Sequence, residues 1–217
     1  NGLAAILTIA DRLSFDSPRH IGISRGHRIP SKYEKELLRK IETIVVGVVE
    51  ALGVKEGPLY IQLLYGEKGL VVNEAALRIG GAFEEITIEE STGFSIMEAV
   101  IEGALGRDYS FDPVEIQKRR TSPDFFSVEL FFVKEGLVSS LTPMENIRLL
   151  PGVLAGDYYI KKKERMKNIE NATARAGYLV VKGDSIQQLE KRREFIYQKM
   201  QVLDEYENNL VIRGGRI

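Results

Sequence analysis

Apolar residues recur three and four positions apart along residues 31–53, a spacing typical of an amphipathic helix. Ser31 and Glu34 are spaced as a capping box at its start, and Gly53 is placed to end it. A second pattern of this kind begins at Ser95, which also has a glutamate three residues later. The sequence therefore predicts two capped helices in the first half of the chain.

Shorter apolar runs in the same half indicate strands. Residues 59–64 and 70–76 are predicted to pair as two strands joined by a tight turn around residues 66–69. Residues 3–9 also read as a strand, and residues 20–29 read as an extended segment.

The second half is predicted to contain more strands and one long helix. The strands are assigned to residues 126–133, 153–160 and 177–181. The helix is expected to start at Asp184, with Gln187 completing its cap. Strands followed by segregated helices favour the α+β class with largely antiparallel sheets.

A polar stretch with two prolines, residues 109–124, is the best candidate for a domain boundary. We therefore assign residues 1–121 to one domain and residues 122–217 to a smaller α+β domain.

The composition of the chain argues against several classes of partner and site. The chain has 217 residues, of which 44% are hydrophobic and 28% charged, with a net charge of −1 and no cysteine. This balance argues against nucleic acid or an anionic membrane as the main partner. The lack of cysteine excludes disulfides, zinc-thiolate sites and cysteine nucleophiles within this chain.

Two features concern the setting of the chain. No apolar run approaches the roughly 20 residues needed to cross a bilayer, and no signal peptide is apparent, so we expect a cytoplasmic protein. The sequence begins at Asn1 within an apparent strand, so we expect it to be part of a longer polypeptide.

Candidate chemistry lies on the two predicted strands that pair. Glu74 and Arg78 should share one face because side chains alternate along a strand, and Gln62 should lie opposite Glu74 across a three-residue turn. Two oxygen ligands and a guanidinium would then meet, as a phosphate-bound Mg²⁺ requires. A plain surface ion pair between Glu74 and Arg78 is the alternative interpretation.

The run GPLYIQLLYGEKGLVVNEAALRIGG, together with HIGISRGHRIPS and STGFSIMEAVIEGALG, resembles the ATP-grasp signature over roughly residues 1–110. The resemblance implies the C-terminal half of an ATP-grasp catalytic domain. Gln62 and Glu74 would then be metal ligands, and Arg78 would contact the transferred phosphate. His27 would lie where the sheet passes the nucleotide.

The second half, which includes FFSVELFFVKEGLV and NATARAGYLVVKGDSIQQLEKR, resembles the lid-like C-terminal domain of carboxylate–amine ligases of the L-amino-acid ligase and biotin carboxylase-like type. In that group Arg175 would lie near the nucleotide, although a structural arginine at a sheet edge explains it equally well. The implied enzyme uses ATP and Mg²⁺ or Mn²⁺ to activate a carboxylate as an acyl-phosphate for attack by an amine. A homodimer is compatible with this class.

The sequence departs from that signature in two ways. Ala76 stands where the family has asparagine, and Asn73 is expected to point to the face opposite Glu74. The phosphate-gripping half of the family's site would lie upstream, so we expect this chain alone to be inactive. Two alternatives stay open: a degenerate module that binds nucleotide or a partner without turnover, and a structural subunit that completes a separately encoded nucleotide-binding lobe.

Overall fold

The structure is a computed structural model that describes residues 4–20, 22–120 and 124–213. Helices within these ranges are α1 (Glu34–Leu52), α2 (Glu84–Thr92), α3 (Ile96–Ala104), α4 (Pro113–Arg120), α5 (Met144–Arg148) and α6 (Ile186–Lys199). Strands are β1 (Asp11–Ser14), β2 (Ser24–Ile29), β3 (Tyr60–Gly66), β4 (Gly69–Ala76), β5 (Phe125–Phe131), β6 (Gly136–Leu137), β7 (Ser140–Leu141), β8 (Val153–Tyr158), β9 (Arg165–Met166), β10 (Gly177–Gly183) and β11 (Val202–Leu203).

The chain forms two compact units. The first takes in the described residues up to Ile9 and from Ser31 to Arg120, and the second takes in Ala10–Pro30 and the described residues from Asp124 onward. This division differs in one segment from the domains proposed above, because Ala10–Pro30 lies in the second unit. Its strand β2 is hydrogen-bonded to β5, a long-range pairing that local sequence patterns do not reveal.

A five-stranded antiparallel sheet in the order β1-β2-β5-β10-β8 organises the second unit. Helix α6 packs on it through Leu189 and Ile196, which lie two turns apart on one face of the helix. These side chains join a buried cluster that includes Phe131 of β5 and Leu179 of β10. The antiparallel sheet with packed helices confirms the coarse class predicted from sequence.

A buried carboxylate ties β2, β5 and α6 together. The Glu129 side chain is 3% exposed, and its oxygens lie 2.8 Å from Arg28 Nη1 and 2.6 Å from Arg193 Nε. Tyr197 donates to the same carboxylate at 3.0 Å, and the Ser127 hydroxyl donates to it as well. Buried charge is tolerated when it is paired and hydrogen-bonded in this way.

The charge balance at Glu129 also sets its acidity. Burial by itself would raise the pKa of this carboxyl, but Arg28, Arg193 and the Ser127 hydroxyl outweigh that effect and lower the pKa to about 2. Because the folded pKa is lower than the ordinary value of 4.5, the carboxylate stabilises the fold above about pH 4.5 and loses this effect as the pH falls toward about 2.

The first unit consists of α1, the β3–β4 hairpin and helices α2 to α4. Glu34, the first residue of α1, pairs with Arg120, the last residue of α4, across 2.6 Å. The Arg120 side chain is only 7% exposed, so this ion pair fixes one end of α4 against α1.

Helix α4 lies within the stretch proposed as the domain boundary, and the division between the two units falls after this helix. Asp112 caps it, since its Oδ1 accepts from the backbone N–H groups of Val114 and Glu115. Pro113 is the first helical residue, a position that lacks an intrahelical donor in any case. The pair Asp112–Pro113 therefore starts a helix.

Local differences appear at other helix starts. Helix α1 begins at Glu34 rather than at the predicted box, because Ser31 Oγ accepts from the Tyr33 N–H while the Glu34 carboxylate turns to Arg120. The cap of α6 lies one residue later than predicted, with Ser185 Oγ accepting from Gln188 N–H. The spacing of a capping box therefore does not by itself show which of several neighbouring polar residues caps a helix.

The opening strand is absent from the part of residues 3–9 that the structure describes. Residues 4–9 have no regular secondary structure, and Leu3 lies outside the described residues. Across the described ranges, no helix combines the length and the apolar character that crossing a membrane demands.

Replacing Glu129 with glutamine should destabilise the protein by about 3–5 kcal/mol, because two buried guanidinium groups lose their counter-charge. Urea unfolding at pH 7 measures this. Glu190→Gln is the matched control, since Glu190 contacts the same two arginines but its side chain is 44% exposed, and it should cost only about 0–1 kcal/mol. Equal effects of the two substitutions would contradict the assignment, as would an unchanged acid-unfolding profile in Glu129→Gln.

Candidate functional site

The β3–β4 hairpin turns through two residues, Glu67 and Lys68, because Gly66 pairs directly with Gly69. Gly69 has a φ of 88°, in the left-handed region that glycine adopts without strain. The three-residue turn predicted from the sequence would have changed only the pairs next to the turn, those of residues 63–66 with residues 69–72. An irregularity in the pairing farther along the hairpin offsets this difference by one residue.

That irregularity is a β-bulge at Asn73. Leu63 pairs with Val72 and Gln62 pairs with Glu74, which leaves Asn73 as an extra residue on β4. The predicted pairing of Gln62 with Glu74 is confirmed, but the bulge produces it rather than the length of the turn.

The bulge also reverses the expectation for Asn73. Its side-chain Nδ2 donates to Gln62 Oε1 at 3.3 Å, so the Asn73 amide lies beside Gln62 and not on the opposite face. Strict alternation fails here because a bulge places two residues opposite one on the partner strand. The amides of Asn73 and Gln62 therefore lie on the side of the hairpin that carries Glu74.

Arg78 follows β4 and folds back over it. Its Nη2 lies 3.4 Å from Glu74 Oε1, and its guanidinium stands over the Tyr60 ring at 5.3 Å. Both charged side chains are about half exposed, at 54% for Arg78 and 47% for Glu74. We call this exposed group of Gln62, Asn73, Glu74 and Arg78 the hairpin patch.

The loop after Arg78 is shaped by Glu84, the first residue of α2. Its carboxylate accepts from the Ala82 N–H at 2.7 Å, and a Cβ at Gly80 would lie 2.4 Å from its carboxyl carbon. Burial raises the pKa of Glu84, with Glu85 adding to this and the Ala82 N–H and Arg78 opposing it. Glu84 thus belongs to the loop beside Arg78.

The second unit brings together His27 and Arg175, which the sequence analysis named separately. His27 is 8% exposed, and burial, then Arg12 and Arg175, lower its pKa to about 4. Among the described residues, His27 Nδ1 and Arg175 Nε are buried without a hydrogen-bond partner. Burial also lowers the pKa of Arg175, Tyr159 opposes that shift, and Arg12 adds to it.

Arg12, which the sequence analysis did not single out, completes this group. The sequence around Arg12 does not mark it as a site residue, because it lies beside His27 only through the pairing of β1 with β2. We call Arg12, His27 and Arg175 the cation cluster. His20, in contrast, is engaged by Ser17 Oγ and the Ile169 carbonyl, each at 3.0 Å.

Within residues 4–20, 22–120 and 124–213, no three His, Cys, Asp or Glu side chains are grouped to hold a metal ion. The hairpin patch offers one carboxylate and two amide oxygens, which are ligand types that hard cations accept.

Comparison with known proteins gives no sequence-level assignment, since neither a family model nor a curated protein matches the chain. Solved structures do match. An L-amino acid ligase from Bacillus licheniformis is 18% identical with a TM-score of 0.78, and the match covers 94% of this chain and 51% of that one.

Two further solved structures also match this chain. A phosphoribosylglycinamide synthetase from Anaerococcus prevotii is 13% identical with a TM-score of 0.74, over 91% of this chain and 49% of the other. A biotin carboxylase domain from Hydrogenobacter thermophilus, determined with MgADP and bicarbonate, is 15% identical with a TM-score of 0.62, over 82% and 39%. The chain therefore has an ATP-grasp ligase-like fold and spans about half the length of the ligases that it matches or less.

Proposed function

We propose that the protein containing this chain is an ATP-dependent ligase that joins a carboxylate to an amine through an acyl-phosphate. The observation that carries this proposal is the approach of Arg78 to Glu74 on an exposed hairpin, with Gln62 directly opposite Glu74. The ATP-grasp ligase-like fold supports it.

Arg78 is the proposed catalytic residue. A guanidinium can hold a phosphoryl group through two parallel N–H donors. The Arg78 side chain is about half exposed, so a substrate can reach it. The Tyr60 ring below and the Glu74 carboxylate beside it restrict its orientation, which favours preorganised stabilisation of developing charge.

Glu74 and Gln62 are the proposed metal ligands. One carboxylate with neutral oxygens forms a weak site alone, and phosphate oxygens and water would complete the shell of a bound Mg²⁺ or Mn²⁺. When bound, the ion would draw charge from the terminal phosphate of ATP.

The proposed reaction has two steps. A carboxylate oxygen attacks the γ-phosphorus, the bond from that phosphorus to the bridging oxygen breaks, and ADP leaves. The amine then attacks the acyl carbon, inorganic phosphate leaves, and the nitrogen loses a proton to give the amide. Arg78 would stabilise the equatorial oxygens in the first step, where positioning and electrostatics supply most of the catalysis.

The cation cluster is proposed to contact phosphate groups of the nucleotide. Arg12 and Arg175 both act on His27 as positive charges, and the buried His27 Nδ1 and Arg175 Nε have no hydrogen-bond partner within the protein. An amino acid is the proposed carboxylate substrate, which the likeness to an L-amino acid ligase supports.

Arg78→Ala in the whole native protein should lower hydroxamate formation by about 10²-fold or more, since losing a preorganised charge stabiliser costs about 3–4 kcal/mol. The assay supplies ATP, Mg²⁺, hydroxylamine and a panel of amino acids. Arg107→Ala is the control, because Arg107 is also exposed and paired with a glutamate, Glu102, in the same unit. Equal hydroxamate yields from wild type and Arg78→Ala would remove Arg78 from the mechanism.

Tripolyphosphate should raise the pKa of His27 from about 4, because a bound anion favours the protonated imidazole. A pH titration followed by NMR of the histidine rings measures this, and His20 serves as an internal control in the same molecule. Arg175→Ala should weaken the response and, without ligand, should itself raise the His27 pKa by removing a positive charge. A His27 titration that tripolyphosphate leaves unchanged would contradict phosphate binding at the cation cluster.

A further inference from the structure

The bulge on β4 gives the hairpin patch an oxygen that the ATP-grasp signature does not predict. Asn73 is the extra residue of the bulge, and its amide lies against that of Gln62 at 3.3 Å. The position that carries asparagine in the signature is Ala76, whose methyl group has no lone pair to offer.

We propose that Asn73 supplies the neutral metal ligand that Ala76 lacks, so that Gln62, Asn73 and Glu74 together form a cation site for Mg²⁺ or Mn²⁺. This inference rests on the proposed function, because it assigns a third ligand to the same site. The added ligand, Asn73, lies near Gln62 because of the bulge, whereas regular alternation along the strand would direct it to the other face.

The separation of the two amides fits this role. Two adjacent ligands of an octahedral ion at about 2.1 Å from the metal lie roughly 3.0 Å from one another. The amide heads of Asn73 and Gln62 are 3.3 Å apart without an ion. Rotating the Asn73 amide about its terminal torsion exchanges its nitrogen and oxygen, which directs both oxygens to the same point.

Exposure supports the same conclusion. Asn73 and Glu74 are both exposed, and Gln62 is partly exposed, so a hydrated ion can reach all three without opening the fold. Glu74 pairs with Arg78 at 3.4 Å, which is a weak contact for half-exposed groups and leaves the second carboxylate oxygen available.

The test is Mn²⁺ binding by the 217-residue chain, measured with Mn²⁺ alone by electron paramagnetic resonance of the free ion. Asn73→Ala should weaken the affinity, and Asn73→Asp should strengthen it, each on the order of tenfold, because ligand number and charge set the affinity. The double substitution Asn73→Ala with Ala76→Asn should return the affinity toward wild type, because it moves the amide to the signature position. Val72→Asn is the control, since it adds an amide to the same strand outside the bulge.

The outcomes separate this inference from the proposed function. Glu74→Ala should abolish the binding in every case. If Glu74→Ala weakens Mn²⁺ binding but Asn73→Ala does not, Asn73 is not a ligand and the metal site stands on Gln62 and Glu74. If the wild-type chain shows no Mn²⁺ binding that depends on Glu74, the metal role of the hairpin fails and this inference fails with it. Circular dichroism spectra that match wild type verify that each variant keeps its fold.

Discussion

The pairing of β3 with β4, with one residue in excess on β4, is the constraint on which the candidate site depends. The two-residue turn alone would place Gln62 opposite Asn73, and the bulge moves Glu74 into that position instead. The position of Gln62 opposite Glu74 and the contact of Asn73 with Gln62 both follow from this register. A shift of one residue would direct Glu74 to the other face of the hairpin.

The second unit holds ionisable side chains in two different environments. Glu129 is surrounded by donors and guanidinium groups, and this complete pairing holds β2, β5 and α6 together. At His27 the neighbouring charges that act on the imidazole are both arginines, and burial discourages its protonation. A paired charge in a core is structural. The proposed phosphate contact rests instead on Arg12 and Arg175, the two positive charges that act on a buried imidazole.

Local periodicity was enough to predict the two strands of the hairpin and the presence of α6, because side-chain direction repeats every two residues in a strand and every 3.6 in a helix. It could not predict the bulge at Asn73, since no feature of the sequence specifies which residue is extra. Nor could it assign β2 to the sheet of the second unit, because about 100 residues separate Arg28 from Ser127, its partner on β5. The proposed roles of Glu74 and Arg78 come from the sequence resemblance, and the fold of the chain is consistent with that resemblance.

The metal site at the hairpin can be tested by anomalous diffraction from crystals of the whole native protein grown with Mn²⁺ and ADP. We expect an anomalous peak at the hairpin, within coordination distance of oxygens from Gln62, Asn73 and Glu74, with Arg78 turned toward the phosphate groups. A Mn²⁺–ADP complex whose metal lies away from the hairpin, with Glu74 still paired to Arg78, would contradict it.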